Sequence, residues 1–345
     1  MTSKRKEMRD NFLLLFGSII FAATLAEIGL RIILPAPIVW KYPQEHYLYD
    51  PEIGHRLEAN QRSFTHDKIV RTNSIGIRDI EYTPQAPDNV YRILALGDSQ
   101  TFGNGLNLAD TWPKQLELIL NVNSNDVRVE VLNCGLPASD SWQHAIIFHR
   151  LLAKYNPDAA ILAFYVNDVV RRHTPSQRQQ NNSGELRTRL TYILKQSALL
   201  LSLRKALHSI QEYLNPGKAL SRQQALMQGI NDLDIEEGWR QVEQSLSEIK
   251  KTSDEEDIVF LLVSLPRRDQ VDGRIPADRY INRLQSIAEG HQIPVIDMLG
   301  PLHEAYKEHG NNLFIPWDGH NSGITNRVIA FNISRVLSIQ KHGKH

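Results

Sequence analysis

From about residue 91 onward, apolar blocks alternate with amphipathic stretches along the chain. Short apolar runs predict strands over 91–96, 127–132, 159–165, 257–265 and 293–296. Residues 111–122 are predicted as a helix, and a second helix is expected to start at a cap formed by Ser139 or Asp140 and to run to about Lys154. Continuous apolar strands that alternate with helices are typical of a parallel sheet covered on both faces. We therefore expect an α/β fold with a parallel central sheet.

The N-terminal segment has the pattern of a transmembrane helix. Basic residues within 1–10 precede an apolar run over 11–35, and roughly 20 apolar residues suffice to cross the hydrocarbon core. Glu27 and Arg31 interrupt this run, but their i,i+4 spacing allows them to pair on one helix face. The basic flank predicts a cytoplasmic tail over 1–10, a membrane anchor over 11–35, and all later residues outside the cytoplasm.

Two alternatives to an anchor remain for this segment. Thr24-Leu25-Ala26 is an acceptable small-residue site for cleavage of a signal peptide. The apolar pattern continues past that site to Leu34, which favours a retained anchor. A buried core helix is the third interpretation, and the basic flank disfavours it.

The remainder of the chain divides into three parts by its pattern. Residues 36–88 are rich in proline, charge and aromatic side chains without sustained periodicity, and are predicted to be a linker and lead-in segment. Residues 89–340 carry the strand and helix alternation and are predicted to form one α/β domain. Within it, residues 170–235 interrupt the alternation of strands and helices with a polar stretch followed by leucine-rich segments. This pattern predicts a helical insertion.

Composition excludes several classes of function. Lys+Arg and Asp+Glu are both 39, so no general attraction to nucleic acid is expected. Cys134 is the single cysteine, which rules out an intrachain disulfide and a cysteine-rich zinc site. No phosphate-binding loop or dinucleotide fingerprint is present, and no His/Asp/Glu cluster has metal-ligand spacing. We therefore expect neither a cofactor nor a metal.

Polar clusters follow the predicted strands at the points where they end. They are Gly97-Asp98-Ser99, Asn133-Cys134-Gly135 and Asn167-Asp168, and a histidine lies near the end of the chain in Asp318-Gly319-His320. The carboxyl ends of parallel strands meet at one rim of the sheet, where such folds bind ligands. The four clusters supply a hydroxyl nucleophile, a base, a carboxylate to orient the base, and donors for an oxyanion.

These blocks resemble those of the SGNH hydrolases, also called GDSL esterases and lipases. The resemblance implies a three-layer, flavodoxin-like fold. It further implies that Ser99 is the nucleophile, His320 the general base and Asp318 its orienting acid. The backbone N–H groups of Ser99 and Gly135 and the side chain of Asn167 would form the oxyanion hole.

Three positions depart from the family pattern. Gln100 replaces the leucine of the first block, and Tyr165 replaces the glycine that usually begins the third. Asp318 and His320 are separated by one residue where the family often has two. This shorter spacing resembles SGNH-like proteins that modify bacterial exopolysaccharides.

The sequence therefore predicts a serine-dependent ester hydrolase acting on O-acyl esters, with envelope or extracellular glycans and lipids as candidate substrates. An O-acyltransferase acting on exopolysaccharide through the same site is one alternative. A non-catalytic glycan-binding or assembly module that retains the fold is another. The expected location is a single-pass membrane protein with a periplasmic or extracellular catalytic domain.

Overall fold

The computed structural model describes residues 2–122, 127–169, 185–214, 222–227, 233–275 and 278–337. The described α-helices are, in chain order, α1 (Thr2–Ile33), α2 (Ser99–Phe102), α3 (Trp112–Val122), α4 (Ser141–Tyr155), α5 (Glu185–Leu194), α6 (Ala198–Leu214), α7 (Arg222–Met227), α8 (Leu233–Glu255), α9 (Arg268–Val271), α10 (Asp278–Gly290), α11 (Leu299–His309) and α12 (Gly323–Ser334). The described strands are β1 (Tyr47–Asp50), β2 (Gly54–Leu57), β3 (Arg62–Thr65), β4 (Lys68–Arg71), β5 (Val90–Gly97), β6 (Arg128–Asn133), β7 (Ala159–Phe164), β8 (Val259–Ser264) and β9 (Val295–Asp297).

The central sheet has five parallel strands in the order β6-β5-β7-β8-β9. Numbered within the sheet, this is the order 2-1-3-4-5 of flavodoxin-like folds, whose ligand crevice opens at the carboxyl ends of the strands. All five predicted strands are present, and helices α3 and α4 lie where the pattern predicts them. The predicted α/β fold with a parallel central sheet is confirmed.

Both faces of the sheet are buried, which explains the continuous apolar runs. In β5, Leu94 and Leu96 belong to the core shared with α4, α8 and α10. Ile93 and Ala95, which alternate with them, belong to the core shared with α3, α11 and α12. Successive side chains of a strand point to opposite faces, so apolar residues are favoured at nearly every position when helices cover both faces. The result is the three-layer arrangement.

Two β-hairpins lie within residues 36–88, where the sequence pattern predicts no strands. Strands β1 and β2 pair antiparallel, and so do β3 and β4. In β3 the buried side chains are Ser63 and Thr65, whereas Phe64 between them is only half-buried. Because the buried positions are polar, this strand has no apolar alternation to reveal it.

A separate compact unit groups residues 1–40 with residues 183–219, and so contains α1, α5 and α6. Glu27 and Arg31 of α1 form the expected i,i+4 ion pair. The Glu27 carboxylate also accepts hydrogen bonds from Ser197 Oγ (2.8 Å) and from the backbone N–H groups of Ala198 (3.0 Å) and Leu199 (2.8 Å). A charged residue inside an apolar helix thus caps the N-terminus of α6.

Helix α1 is the one described helix long and apolar enough to cross a membrane, and a signal sequence fits the same criteria. The polar part of the predicted insertion, 170–184, lies outside the described residues. Helices α5, α6 and α7 lie within the rest of the insertion, and α8, which begins at its end, packs against α4 of the three-layer core.

Candidate active site

Ser99 is the first residue of the short helix α2, which begins two residues after the last residue of strand β5. The side chain of Asp98 caps this helix by accepting a 2.8 Å hydrogen bond from the Gln100 N–H. The turn needs Gly97, whose φ is +147° and where a Cβ atom would lie 2.2 Å from Thr101 Oγ1. The strand, the turn and the cap together hold Ser99 at the carboxyl edge of the sheet.

Ser99, His320 and Asp318 form a connected chain of hydrogen bonds. Ser99 Oγ lies 2.9 Å from His320 Nε2. The other ring nitrogen, Nδ1, contacts Asp318 Oδ1, which also accepts the backbone N–H of His320 at 3.1 Å. Gly319, between them at φ +88°, allows this tight turn. The one-residue spacing is therefore compatible with direct contact between the carboxylate and the imidazole.

The electrostatics of this chain favour a negative Asp318 and a basic His320. Burial raises the pKa of Asp318, but hydrogen bonds from His320 and His66 outweigh it, and the net pKa is well below its ordinary value. Burial lowers the pKa of His320, but the hydrogen bond to Asp318 outweighs that effect, so the net pKa is raised. The imidazole is thus a stronger base than a free histidine.

Asn167 follows β7 and lies beside Asp98. Its Nδ2 donates a 2.9 Å hydrogen bond to Asp98 Oδ2 and has a long 3.5 Å contact to the carbonyl oxygen of Ser139. Its Oδ1 is buried and accepts no hydrogen bond from the described residues. Burial raises the pKa of Asp98, while the donors Gln100 and Asn167 act in the opposite direction. One of the two Nδ2 protons is committed to Asp98, and the other has only the long contact.

A cavity of about 290 Å³ opens at this edge of the sheet. It is lined by Asp98, Ser99, Gln100, Asn104, Pro137, Ala138, Tyr165, Asn167, Asp318, Gly319 and His320. Tyr165, which stands where the family usually has glycine, is therefore part of the wall. The cavity brings together Ser99, Asn167, Asp318 and His320, as the sequence predicts.

Gly135, the remaining residue predicted for the site, does not line the cavity. It is buried and donates its N–H to Asn133 Oδ1 at 3.2 Å. A Cβ atom there would lie 2.1 Å from the backbone nitrogen of Phe102, in α2. The small size of Gly135 allows the β6 loop to pack against the backbone of α2. The assignment of its N–H to an oxyanion hole stays a prediction, which the contact with Asn133 Oδ1 disfavours.

Ala138, three residues later, is at the cavity instead. Its φ of +66° is unusual for a residue with a Cβ atom, and it is partly exposed in the cavity wall. Its N–H has no hydrogen-bond acceptor among the residues that the structure describes. Alanine is not a residue typical of left-handed turns, so the sequence carries no signal for this position.

His66 is a second residue that the sequence analysis misses. It lies in the turn between β3 and β4, and its Nε2 is 3.0 Å from Asp318 Oδ2. The side chain is 6% exposed. Because 252 residues of chain separate His66 from Asp318 and the lead-in segment has no recognisable motif, no sequence pattern links them.

A second Ser–His–Asp cluster lies outside the cavity wall. Ser139 Oγ is 2.7 Å from His144 Nε2, and His144 Nδ1 is 3.3 Å from Asp168 Oδ1. All three side chains are buried, and burial lowers the pKa of His144 to about 3. A histidine so weakly basic cannot activate a hydroxyl near neutral pH. The Ser139–His144 hydrogen bond and the 3.3 Å contact of His144 with Asp168 bring the Ala138 turn and the Asn167 turn together.

Comparison with known proteins identifies the class of enzyme. The profile of the GDSL-like lipase/acylhydrolase family matches residues 95–321, which is most of the chain. The chain belongs to this family and is an SGNH-type esterase, an enzyme that hydrolyses acyl esters. No curated protein matches the sequence. No group of three or more His, Cys, Asp or Glu residues able to hold a metal occurs within the described ranges.

Several solved structures resemble the chain at low sequence identity. The acetyl xylan esterase AlAXEase is 14% identical, with 71% of this chain and 100% of that chain covered and a TM-score of 0.44. The psychrotrophic esterase EstA from Pseudoalteromonas sp. is 12% identical, with 71% and 94% covered and a TM-score of 0.42. The lipase/acylhydrolase from Enterococcus faecalis is 15% identical, with 71% and 94% covered and a TM-score of 0.40.

Proposed function

We propose that the enzyme cleaves O-acyl esters through an acyl-enzyme on Ser99. The 2.9 Å contact between Ser99 Oγ and His320 Nε2 is the observation that carries the proposal. His320 accepts the hydroxyl proton as Oγ attacks the ester carbonyl, and Asp318 stabilises the imidazolium that forms. The proton then passes to the leaving alcohol. Water, activated by the same imidazole, cleaves the acyl-enzyme and regenerates Ser99.

The negatively charged oxygen of the tetrahedral intermediate needs hydrogen-bond donors that point at it. We assign these to the backbone N–H groups of Ser99 and Ala138 and to the second Nδ2 proton of Asn167. Ala138 takes the role that the sequence analysis gives to Gly135, because Ala138 lines the cavity and Gly135 does not. The buried side chains of Ser139, His144 and Asp168 pack between the turns that carry the Ala138 and Asn167 donors.

The cavity favours a short acyl group on a polar substrate. Its wall is mainly polar, and Pro137 and Ala138 are its aliphatic members among the described residues. A long fatty-acyl chain gains binding energy from apolar surface, at about 25 cal/mol per Å² buried. A small acyl group on a hydroxyl-rich alcohol makes better use of this lining. We therefore propose O-acylated glycans of the cell envelope as the substrate class.

Chain-length profiles test this assignment. We expect kcat/KM for p-nitrophenyl esters to be highest with acetate and to fall steadily beyond butyrate. Release of acetate from an O-acetylated polysaccharide, compared with the Ser99→Ala variant, tests the glycan assignment. A preference for octanoate or longer esters would contradict it. Adding a hydroxyl-rich acceptor and measuring acylated product separates transferase from hydrolase activity, since both use the same acyl-enzyme.

We also propose that α1 is retained as a membrane anchor, with residues 1–10 in the cytoplasm and the esterase outside it. Glu27 caps α6 from the interior of α1. Cleavage after Ala26 would make Glu27 the first residue of the mature protein. Its new α-ammonium group would then lie beside the N-terminus of α6, where the positive end of the helix dipole would repel it. The intact mass of the mature protein from membranes tests this. A mass that lacks the first 26 residues, with the protein in the soluble fraction, would refute retention.

A further inference from the structure

The second oxygen of Asp318 is bound by a histidine from outside the family-matched region. His320 contacts Asp318 Oδ1, whereas His66 Nε2 lies 3.0 Å from Oδ2. The family profile begins at residue 95, so His66 belongs to the lead-in segment and not to the conserved blocks that define the family. This contact is therefore a feature of this chain that the family assignment does not supply.

His66 occupies a backbone position that usually favours glycine. The hairpin pairs Thr65 with Lys68, which leaves His66 and Asp67 as a two-residue turn. His66 is the first of these and has a φ of +54°. In two-residue turns with positive φ at the first position, glycine is the usual occupant because it has no Cβ atom. Histidine is one of the few non-glycine residues that tolerate this conformation, and its side chain here contacts Asp318.

Hydrogen bonds hold the His66–Asp67 turn to its neighbours, among them the loop that follows α2. The His66 N–H donates to Gln44 Oε1 at 3.2 Å, and its carbonyl oxygen accepts from Gln44 Nε2 at 3.0 Å and from the Lys41 N–H at 2.9 Å. Thr65 Oγ1 accepts the Gly105 N–H at 3.1 Å, in the loop that follows Ser99 and α2. These hydrogen bonds hold the backbone of the His66 turn in place beside the loop that follows Ser99.

The short spacing between Asp318 and His320 explains why a second donor matters. Both residues lie on one turn, in which the Gly319 N–H donates to the Ile315 carbonyl at 3.0 Å. Both contacts with His320 fall on Oδ1, so the carboxylate keeps some freedom to pivot about that oxygen unless Oδ2 is also bound. A hydrogen bond from His66 removes that freedom and keeps the carboxylate in the plane that His320 needs.

We propose that His66 is a positioning residue for the esterase reaction, whose Nε2–H donates to Asp318 Oδ2 and thereby holds Asp318 and His320 in line with Ser99. The proposal rests on the proposed function of the Ser99 site. The lead-in hairpin is accordingly part of the machinery that orients the active site. A linker role alone would not require it to contact the triad.

The test compares variants of His66 in the full-length protein, with p-nitrophenyl acetate as substrate. His66→Leu removes the donor and keeps apolar bulk, and we expect kcat to fall on the order of 10- to 100-fold with KM nearly unchanged. His66→Gln keeps an N–H donor near the position of Nε2, and we expect it to recover most of the lost kcat. His149→Leu is the matched control, because His149 pairs with Glu248 on the exposed side of α4, and kcat should not change.

Thermal unfolding separates positioning from a purely structural role. If His66→Leu and His66→Gln have equal melting temperatures yet differ in kcat as stated, the donor to Asp318 accounts for the difference. Equal kcat in wild type and His66→Leu, or an equal loss in both variants, would overturn the inference. A wild-type enzyme that does not react with a fluorophosphonate would instead overturn the proposed function, because labelling depends on Ser99 itself.

Discussion

Gly135→Ala separates the packing role of this residue from the donor role expected from sequence. The variant keeps its backbone N–H, so a donor role alone predicts little change in turnover. The structure predicts the opposite, because the new Cβ atom would meet the Phe102 nitrogen at 2.1 Å, Phe102 Cα at 2.7 Å and the Thr101 carbonyl carbon at 2.7 Å. Contacts between carbon and backbone atoms need more than 3 Å, so the β6 loop and α2 must separate by about 1 Å.

That displacement reaches the nucleophile, since α2 begins at Ser99 and ends at Phe102. A shift of about 1 Å at a reacting group can lower turnover by about 100-fold, and overpacking of a buried site costs about 1–3 kcal/mol. We therefore expect Gly135→Ala to lower kcat by about two orders of magnitude and to lower the free energy of unfolding by about 1–3 kcal/mol.

Steady-state hydrolysis of p-nitrophenyl acetate and urea unfolding measure the two effects. Gly300→Ala is the matched control: Gly300 lies in α11, and a Cβ atom there meets nothing within 4 Å. Replacing a helical glycine by alanine should leave kcat unchanged and stability equal or slightly higher. Wild-type kcat and stability in Gly135→Ala would refute the packing argument.

Three further predictions follow from the site. The raised pKa of His320 places the acid limb of kcat/KM above the ordinary histidine pKa, because activity needs the neutral imidazole; a limb below pH 6 would contradict this. Asn167→Ala should lower kcat by about 100- to 1000-fold at nearly constant KM, and an unchanged kcat would exclude Asn167 as an oxyanion donor. Cys134, buried and with its pKa raised by burial, should resist iodoacetamide in the folded enzyme; rapid alkylation would contradict its burial.

The three-layer core could be predicted from sequence because its pattern is strong. Strand β7 is apolar at every position, and β5 is apolar apart from the buried Arg92, as burial on both faces requires; a polar block follows each strand within a few residues. The carboxyl-edge rule then brings Ser99 and Asn167 together without further information. His320 and Asp318 follow from the family resemblance, and the structure brings their side chains to the same cavity.

The misses have physical causes in backbone geometry and long-range contacts. Ala138 adopts a left-handed φ without the glycine or asparagine that usually indicates one. Gly135 lies in the block that supplies an oxyanion donor in the family, but its N–H donates to Asn133 Oδ1, a contact that the sequence pattern does not reveal. Strand β3 buries hydroxyl side chains, so its hairpin has no apolar alternation, and the contact of His66 with Asp318 depends on how that hairpin packs. Sequence patterns record local burial, and these features are set by tertiary contacts.

The most direct test of the central claim is to label the enzyme with a fluorophosphonate and identify the modified residue by mass spectrometry. We expect one adduct, on Ser99, which is lost in Ser99→Ala and forms much more slowly in His320→Ala. Ser139 provides an internal comparison, because it also lies 2.7 Å from a histidine nitrogen but is buried with a histidine of very low basicity. An adduct on Ser139, or a folded wild-type enzyme that takes no label, would contradict the assignment of Ser99 as the nucleophile.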